Sequence, residues 1–196
     1  PVLRTHAQDF AEPYLYPDQE DILKSFIRKR YSWLPYNYTL AYDNASLGLP
    51  LVRPLNFYAH STGADVDDVA DQYLWGRDVM IAPVLEKGAT GRRVVIPDDG
   101  SRWIDYNDPS KIFAPGSVIE NYEASLSVLP MFVREGAFIP EAVQTMGSTA
   151  DYDPSKLTVN YYPVEGATSA YTLFDDDRKS PRSLADAAYQ LITFKG

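Results

Sequence analysis

Cysteine is absent from this chain of 196 residues, and histidine occurs only twice. Without cysteine the chain cannot contain a disulfide, a thiolate zinc site or a catalytic thiol. No run of apolar residues approaches the roughly 20 that a membrane-spanning helix needs. We therefore expect no membrane partner, and the lack of cysteine by itself assigns no cellular compartment.

Positive charge is also scarce, because 18 Lys and Arg stand against 27 Asp and Glu, which gives a formal net charge of −9. The basic residues are scattered, apart from one short cluster at Lys24, Arg28, Lys29 and Arg30. An acidic surface repels a phosphate backbone, so we expect no nucleic-acid partner.

Aromatic residues are abundant, at 13% of the chain with 15 Tyr and 3 Trp. Aromatic rings often line sugar-binding sites, because their faces cover the apolar C–H face of a pyranose. The alternative is that most of them pack in a core or lie at its edge. For any single Tyr, composition alone favours the core.

The first part of the chain predicts one long helix. Apolar residues recur at steps of three and four from Ile22 to Tyr38, which indicates an amphipathic helix. Asp18 is its expected N-cap, and Pro35 is expected to kink it. Gly48 supplies the stop signal at its C-terminal end.

A strand and a second helix are expected next. Leu51 to Phe57 has the apolar character of a strand, and its Arg53 needs a partner if it is buried. Asp65 to about Tyr73 is expected to form a helix whose first turn is acidic. Acidic residues at a helix start fit the helix dipole, and their spacing matches no EF-hand, so we predict no metal site there.

After Gly76 the pattern becomes that of an antiparallel β-sandwich. Val79–Val84 and Arg92–Pro97 are expected to pair as a hairpin through the glycines of residues 88–91. Further strands are predicted around residues 103–106, 117–119, 129–139, 157–162, 170–174 and 190–194. The best domain boundaries lie near Trp75 and Gly147.

Several segments resemble motifs of glycoside hydrolase family 31, the α-glucosidase and α-xylosidase family, in the family's order. They are Pro1–His6 (P-x-x-R-x-H), Glu12–Tyr14 (E-P-W/Y), Arg30–Tyr36 (R-Y-x-L-L-P-Y), Gly48–Leu55 (G-x-P-h-h-R-P-L, where h is apolar), Tyr73–Val84 (Q-F-h-x-G-D-x-h-h-h-A-P-V), Pro130–Gly136 (P-x-F-V-R-x-G) and Tyr171–Asp177 (F-x-L-Y-E-D-D-G). Two positions depart from these patterns, since Arg77 stands where Asp is usual and Arg178 where Gly is usual.

The resemblance implies an α+β fragment of a larger enzyme. Residues 1–75 would be the last β/α units of a TIM barrel, residues 76–147 a proximal β-sandwich domain, and residues 148–196 a further β segment that starts a distal domain. The family hydrolyses α-glycosides with retention, through two Asp residues about 5 Å apart. Neither catalytic motif is in this sequence, so we assign no catalytic residue and expect the isolated chain to be inactive. No cofactor and no metal are implied, because glycoside hydrolysis of this type needs neither.

The resemblance carries one site residue into this sequence, His6, which would contact the terminal sugar of the substrate. A neutral imidazole can donate a hydrogen bond to a sugar hydroxyl near pH 7. The alternative is a structural histidine. Arg4 would be an ion-pair donor beside the site, with Glu12 as its partner, and Arg53 would be structural.

Two other functions remain open, a non-catalytic carbohydrate-binding β-module and a structural domain without a ligand. If the chain is instead part of a family 31 glycosidase, carbohydrate is its partner only as the substrate of the parent enzyme. A barrel fragment would also expose the apolar side chains of Phe26, Tyr31, Leu34 and residues 51–55. We therefore expect either a rearranged packing of residues 1–75 or self-association of the chain.

Overall fold

The computed structural model describes residues 12–58, 66–143 and 145–196, and within these ranges the chain is mostly β-sheet with few helices. The helices are α1 (Glu20–Ser32) and α2 (Leu34–Leu47). The strands are β1 (Val52–Arg53), β2 (Tyr73–Trp75), β3 (Val79–Ile81), β4 (Gly91–Val95), β5 (Trp103–Asp105), β6 (Ile112–Phe113), β7 (Val118–Glu123), β8 (Met131–Arg134), β9 (Phe138–Ala142), β10 (Leu157–Tyr161), β11 (Ala170–Asp176) and β12 (Tyr189–Lys195).

The predicted long helix is present and breaks where Pro35 was expected to disturb it. Helix α1 ends at Ser32, and α2 begins at Leu34, which places Pro35 in the first turn of α2, where a missing N–H is tolerated. Helix α2 ends at Leu47, and Gly48 follows with a φ of 72°. The prediction of Asp18 as N-cap is wrong, because Pro17 starts a 3₁₀ turn through Gln19, and Gln19 is the residue before α1.

The chain forms two compact units, each built from separated segments. The first takes in the described residues of Pro1–Tyr42, Ile139–Asn160 and Thr172–Phe194. Its core includes Trp33 and Tyr36, which are 0% and 1% exposed and meet edge to face at 5.8 Å between ring centroids. Within this unit the β11–β12 pair lies on α2, since the Phe174 ring stacks on that of Tyr42 at 4.4 Å.

The second unit takes in the described residues of Asp43–Phe138, Tyr161–Tyr171 and Lys195–Gly196. It contains a six-stranded sheet of order β1-β2-β3-β8-β5-β6 and a separate pair of β4 with β7. Every strand pairing with a known register in this unit is antiparallel. Side chains from both sheets fill one hydrophobic core, among them Met80, Trp103 and Phe132 from the large sheet and Val94 and Tyr122 from the small one.

The side chain of Gln72 joins the two sheets of this unit. Its Nε2 donates to the carbonyl of Val95 at 2.9 Å, and its Oε1 accepts from the Val95 N–H at 2.9 Å. The amide therefore satisfies both backbone groups of a buried β4 residue, as a neighbouring strand would do. This contact attaches the end of β4 to the segment that enters β2.

The predicted hairpin between Val79–Val84 and Arg92–Pro97 is wrong. Strand β3 pairs with β2 on one side and with β8 on the other, and all three of its residues are buried. Because both edges of β3 are occupied, β4 cannot pair with it and pairs with β7 instead. The glycine-containing turn therefore leads from one sheet to the other.

The helix predicted over Asp65–Tyr73 is also wrong in its described part. Val66–Asp68 is a single 3₁₀ turn, and Tyr73 already belongs to β2. The Oδ1 of Asp67 accepts a hydrogen bond from Asn56 Nδ2 at 2.6 Å. The pairing of β2 with β1 and β3 outweighs the weak helical pattern of so short a segment.

The strand expected over Leu51–Phe57 contains only Val52 and Arg53. Pro54 has no N–H to donate to a ladder, and a 3₁₀ turn over Leu55–Phe57 follows it. Leu55 is 0% exposed within the core of the second unit, so it does not belong to the apolar patch expected from the sequence. Val52 is 49% exposed, in agreement with that expectation.

None of the helices in the described part of the chain combines the length and the apolar character that a membrane-spanning helix needs.

Candidate functional site

The substrate-binding candidate His6 and its neighbour Arg4 lie outside the described residues, so the structure does not test their roles. His60, the other histidine, also lies outside them. Glu12 is described and exposed. Polar contacts are described for several other motif residues, among them Arg53, Asp78 and Arg134.

Arg53 is a buried cation at the end of β1, 3% exposed. Its Nε donates to the carbonyl of Pro50 at 2.7 Å, and its Nη1 donates to the Tyr58 hydroxyl. The guanidinium carbon also lies 5.5 Å from the centroid of the Phe57 ring and 5.4 Å from that of Tyr58. A buried charge needs such partners, so the expectation of a structural Arg53 with a partner is met.

Two further charged residues, Asp43 and Arg77, lie near Arg53 and the rings of Phe57 and Tyr58. Burial raises the pKa of Asp43, and the positive charge of Arg53 opposes part of that rise. Arg77 is exposed, and its guanidinium carbon lies 5.4 Å from the centroid of the Tyr58 ring. Arg53 and Arg77 both contact Tyr58, which fixes the end of the segment that leaves β1.

An ion pair between Asp78 and Arg134 joins two of the motifs. Arg134 donates to Asp78 Oδ1 from Nε at 2.9 Å and from Nη2 at 2.7 Å, and its N–H donates to the Asp78 carbonyl at 2.9 Å. Both side chains are largely buried, at 18% and 15% side-chain exposure. The Arg77 departure thus leaves an acid, Asp78, in place to pair with the arginine of the later motif.

Arg102 and Glu135 form a second two-point contact beside the first. The Arg102 N–H donates to Glu135 Oε1 at 2.8 Å, and its Nε donates to Oε2 at 2.8 Å. Burial alone would raise the pKa of Glu135, but these hydrogen bonds and the charges of Arg102 and Arg134 outweigh it, and the pKa is lowered.

The lowered pKa of Glu135 predicts a loss of stability in acid. A carboxyl group whose pKa is lower in the folded state stabilises fully above its unfolded value of about 4.3. That contribution disappears as the pH falls through the folded pKa. We expect Glu135→Gln to flatten the fall of the free energy of unfolding between about pH 5 and pH 3, measured by urea unfolding at a series of pH values. An unchanged slope in the variant would contradict the assignment.

The buried carboxyl groups of the described ranges are already bound to neighbours. Asp105 is 0% exposed and accepts from the Tyr122 hydroxyl at 2.9 Å and from the Asn107 N–H at 2.8 Å. Asp175 is 5% exposed and accepts from Arg178 Nη1 at 2.6 Å and from Gln190 Nε2 at 3.2 Å. These are the contacts of structural carboxylates, not those of a nucleophile and acid facing a shared cavity.

No group of three or more His, Asp or Glu side chains in residues 12–58, 66–143 and 145–196 is arranged to hold a metal ion.

Comparison with known proteins places these motifs. Residues 48–139 match the glycosyl hydrolase family 31 C-terminal domain. The chain is 31% identical over 172 residues to α-glucosidase 2 of Bacillus thermoamyloliquefaciens, covering 85% of this chain and 20% of that protein. It is 31% identical over 180 residues to an α-xylosidase of Saccharolobus solfataricus, covering 90% of this chain and 24% of that protein. The chain belongs to glycoside hydrolase family 31.

A solved structure of the family has the same fold. The family 31 dextranase of Flavobacterium johnsoniae, solved with isomaltotriose, superposes with a TM-score of 0.83 at 25% identity, over 96% of this chain and 23% of that one. The chain therefore spans about a fifth to a quarter of the length of the family members it matches. It corresponds to the C-terminal portion of a family 31 enzyme.

Sequence reasoning missed three of the polar contacts that hold this family 31 region together. These are the Asp105–Tyr122 pair, the Gln72 bridge to Val95 and the Arg102–Glu135 contact. Asp105 follows the apolar Trp103 and Ile104, so an acid ending a buried strand was the available signal. Gln72 and Glu135 gave no such signal, because their partners lie 23 and 33 residues away along the chain.

Proposed function

We propose that this chain is the C-terminal segment of a retaining α-glycosidase that hydrolyses terminal α-glucosides or related α-glycosides, and that the segment alone is inactive. The observation that carries the proposal is the coverage. Family relatives align with 85% to 90% of this chain, while the chain spans only 20% to 24% of those relatives. The catalytic residues of the parent enzyme would then lie in the part of the enzyme that this chain does not include.

The proposal assigns residues 1–75 to the end of the catalytic barrel, residues 76–147 to a proximal β-domain and residues 148–196 to a further β segment. Its support is the order of elements, since α2 ends at Leu47, Gly48 follows it, and the strand β1 comes next. His6 is proposed to contact the terminal sugar, and carbohydrate is bound as substrate through the parent enzyme. Neither a nucleic acid nor a membrane is part of the proposal.

Self-association of the isolated chain belongs to the same proposal. Tyr14, Leu15 and Tyr16 are 74%, 45% and 48% exposed, and α1 has no buried residue. In a barrel such side chains would be covered by the preceding units. In the isolated chain, a second copy is the available cover, and sedimentation of the chain at increasing concentration tests whether it associates.

The binding-module alternative gains no support from the exposed rings. Beyond residue 75, no Trp, Tyr or Phe of the described ranges is exposed, and the exposed large apolar side chains there are aliphatic, such as Leu85 and Leu126. A sugar-binding surface normally presents an aromatic face. If the alternative held, sugar affinity would survive removal of residues 1–75, and isothermal titration of that truncated chain would detect it.

An activity assay tests the proposal. We expect the purified chain to hydrolyse no aryl α-glucoside or α-xyloside above the rate of the buffer, because a carboxylate pair is needed for the retaining mechanism. A rate that rises with chain concentration and saturates with substrate would contradict the proposal. Circular dichroism on the same sample must show the β-rich fold, so that a negative result refers to folded chain.

A further inference from the structure

The turn that connects β11 to β12 holds Arg178 in a backbone conformation that favours glycine. Its φ is 56°, in the left-handed region, where a side chain is strained. The family pattern has glycine at this position. A residue held in such a conformation persists when its surroundings stabilise it, so the contacts of Arg178 are the next thing to consider.

The Arg178 side chain supplies the cation for a buried carboxylate. Its Nη1 donates to Asp175 Oδ1 at 2.6 Å, and the Asp175 side chain is only 7% exposed. The guanidinium carbon lies 5.1 Å from the centroid of the Tyr152 ring, and Tyr152 is 6% exposed. Removing one partner of such a pair leaves an uncompensated buried charge, which is strongly destabilising.

The backbone of the same residue fixes a second carboxylate, which faces α2. The Arg178 N–H donates to Asp176 Oδ1 at 2.7 Å, and the Tyr38 hydroxyl donates to the same oxygen at 2.7 Å. Tyr38 lies on α2. The left-handed conformation of Arg178 therefore places Asp176 where it can accept from the helix.

Three further contacts join the β11–β12 hairpin to α2. The Phe174 N–H donates to Thr39 Oγ1 at 3.2 Å, and Thr39 is 3% exposed. The rings of Tyr42 and Phe174 are stacked, with 11° between their planes. Tyr189 on β12 also meets Tyr42, at 5.8 Å between centroids. Helix and hairpin thus share hydrogen bonds and ring contacts that begin at Arg178.

We propose that Arg178 is a latch that makes α2 and the β11–β12 hairpin open and close as one cooperative unit. Its side chain neutralises Asp175, and its backbone positions Asp176 for Tyr38. When the Arg178 side chain is lost, the unpaired charge of buried Asp175 favours opening of the turn. The opening breaks the hydrogen bond between Asp176 and Tyr38 of α2. The inference concerns the first compact unit alone and does not depend on the proposed function.

Replacement of Arg178 by glycine tests the latch, because glycine suits the backbone conformation and removes only the side-chain contacts. If Arg178 were merely tolerated, Arg178→Gly would relieve strain and raise the unfolding temperature. The latch predicts the opposite, a fall of about 5 °C. It also predicts faster hydrogen exchange in both the β11–β12 amides and the amides of α2 around Tyr38 to Tyr42.

Ala187 provides a matched control in the same hairpin connection. It has a φ of 51° and an exposed side chain without polar groups, so Ala187→Gly should hold or raise the unfolding temperature. Arg178→Lys keeps the charge but loses the planar contact with Tyr152, and we expect a smaller fall that still affects both elements. If Arg178→Gly does not fold, the unfolding temperature and hydrogen exchange of Arg178→Lys test the proposal instead. An unchanged or raised unfolding temperature for Arg178→Gly, or faster exchange confined to the turn, would overturn the proposal.

Discussion

Phe132→Ala is expected to lower the free energy of unfolding by about 3–5 kcal/mol, the range for removing a fully buried aromatic side chain. Phe132 is 0% exposed and lies in β8, between β3 and β5. Its ring meets those of Phe113 and Tyr122 edge to face, at 5.6 Å and 5.4 Å between centroids. One of these rings belongs to the large sheet and the other to the β4–β7 pair, so the cavity would weaken the contact between the two sheets.

Urea unfolding followed by circular dichroism measures this effect. Leu126→Ala is the matched control, since Leu126 is 77% exposed and its truncation should change stability by no more than about 0.5 kcal/mol. The account of a shared core between the two sheets would be wrong if Phe132→Ala cost as little as the control.

Asp105→Ala is expected to lower the free energy of unfolding by about 2–3 kcal/mol, because it removes the acceptor of one buried hydroxyl and of two part-buried N–H groups. These donors are the Tyr122 hydroxyl and the N–H groups of Asn107 and Asp108, the last at 3.3 Å. Burial and the Asp105 carboxylate raise the pKa of Tyr122 to about 12, so the hydroxyl stays a donor through the neutral range. Asp105→Asn keeps one acceptor oxygen and should cost less.

Glu120→Ala is the matched control for the lost carboxylate. Its side chain is 80% exposed and lies 3.5 Å from Arg93 Nε, an exposed pair that contributes about 0–1 kcal/mol. Thermal unfolding of the three variants gives the comparison. If Asp105→Ala were no less stable than Glu120→Ala, the buried hydrogen-bond network around Asp105 would not hold the sheet as described.

Local signals in the sequence predicted the helical segment that holds α1 and α2 and most of the strands. They failed for the helix expected over Asp65–Tyr73 and for the β3–β4 hairpin, where pairing between distant residues decided the structure. The break near Pro35 and the end at Gly48 are local effects of proline and glycine, and both predictions are confirmed. The expected β3–β4 hairpin failed because β8, from about 50 residues later in the chain, occupies the edge of β3.

The candidate site was predicted only through family resemblance, and its central residue stays a prediction. His6 lies outside the described residues, and no local pattern of apolar or charged residues marks a sugar contact. Arg53 is an example of a partial prediction. Its charge within an apolar segment predicted that it would need a partner, but only the structure identified Tyr58 as that partner. The roles of Asp78 and Arg134 depended on a contact between residues 56 positions apart.

Determination of the coding sequence upstream of Pro1 tests the central claim most directly. The account predicts an open frame that continues upstream and encodes the family's W-x-D-M nucleophile motif, followed by a second catalytic Asp before Pro1. His6 would then belong to the sugar subsite of that barrel. A frame that opens at or near Pro1 would contradict the account, because the chain would then have no catalytic pair and could not be the C-terminal segment of an α-glycosidase.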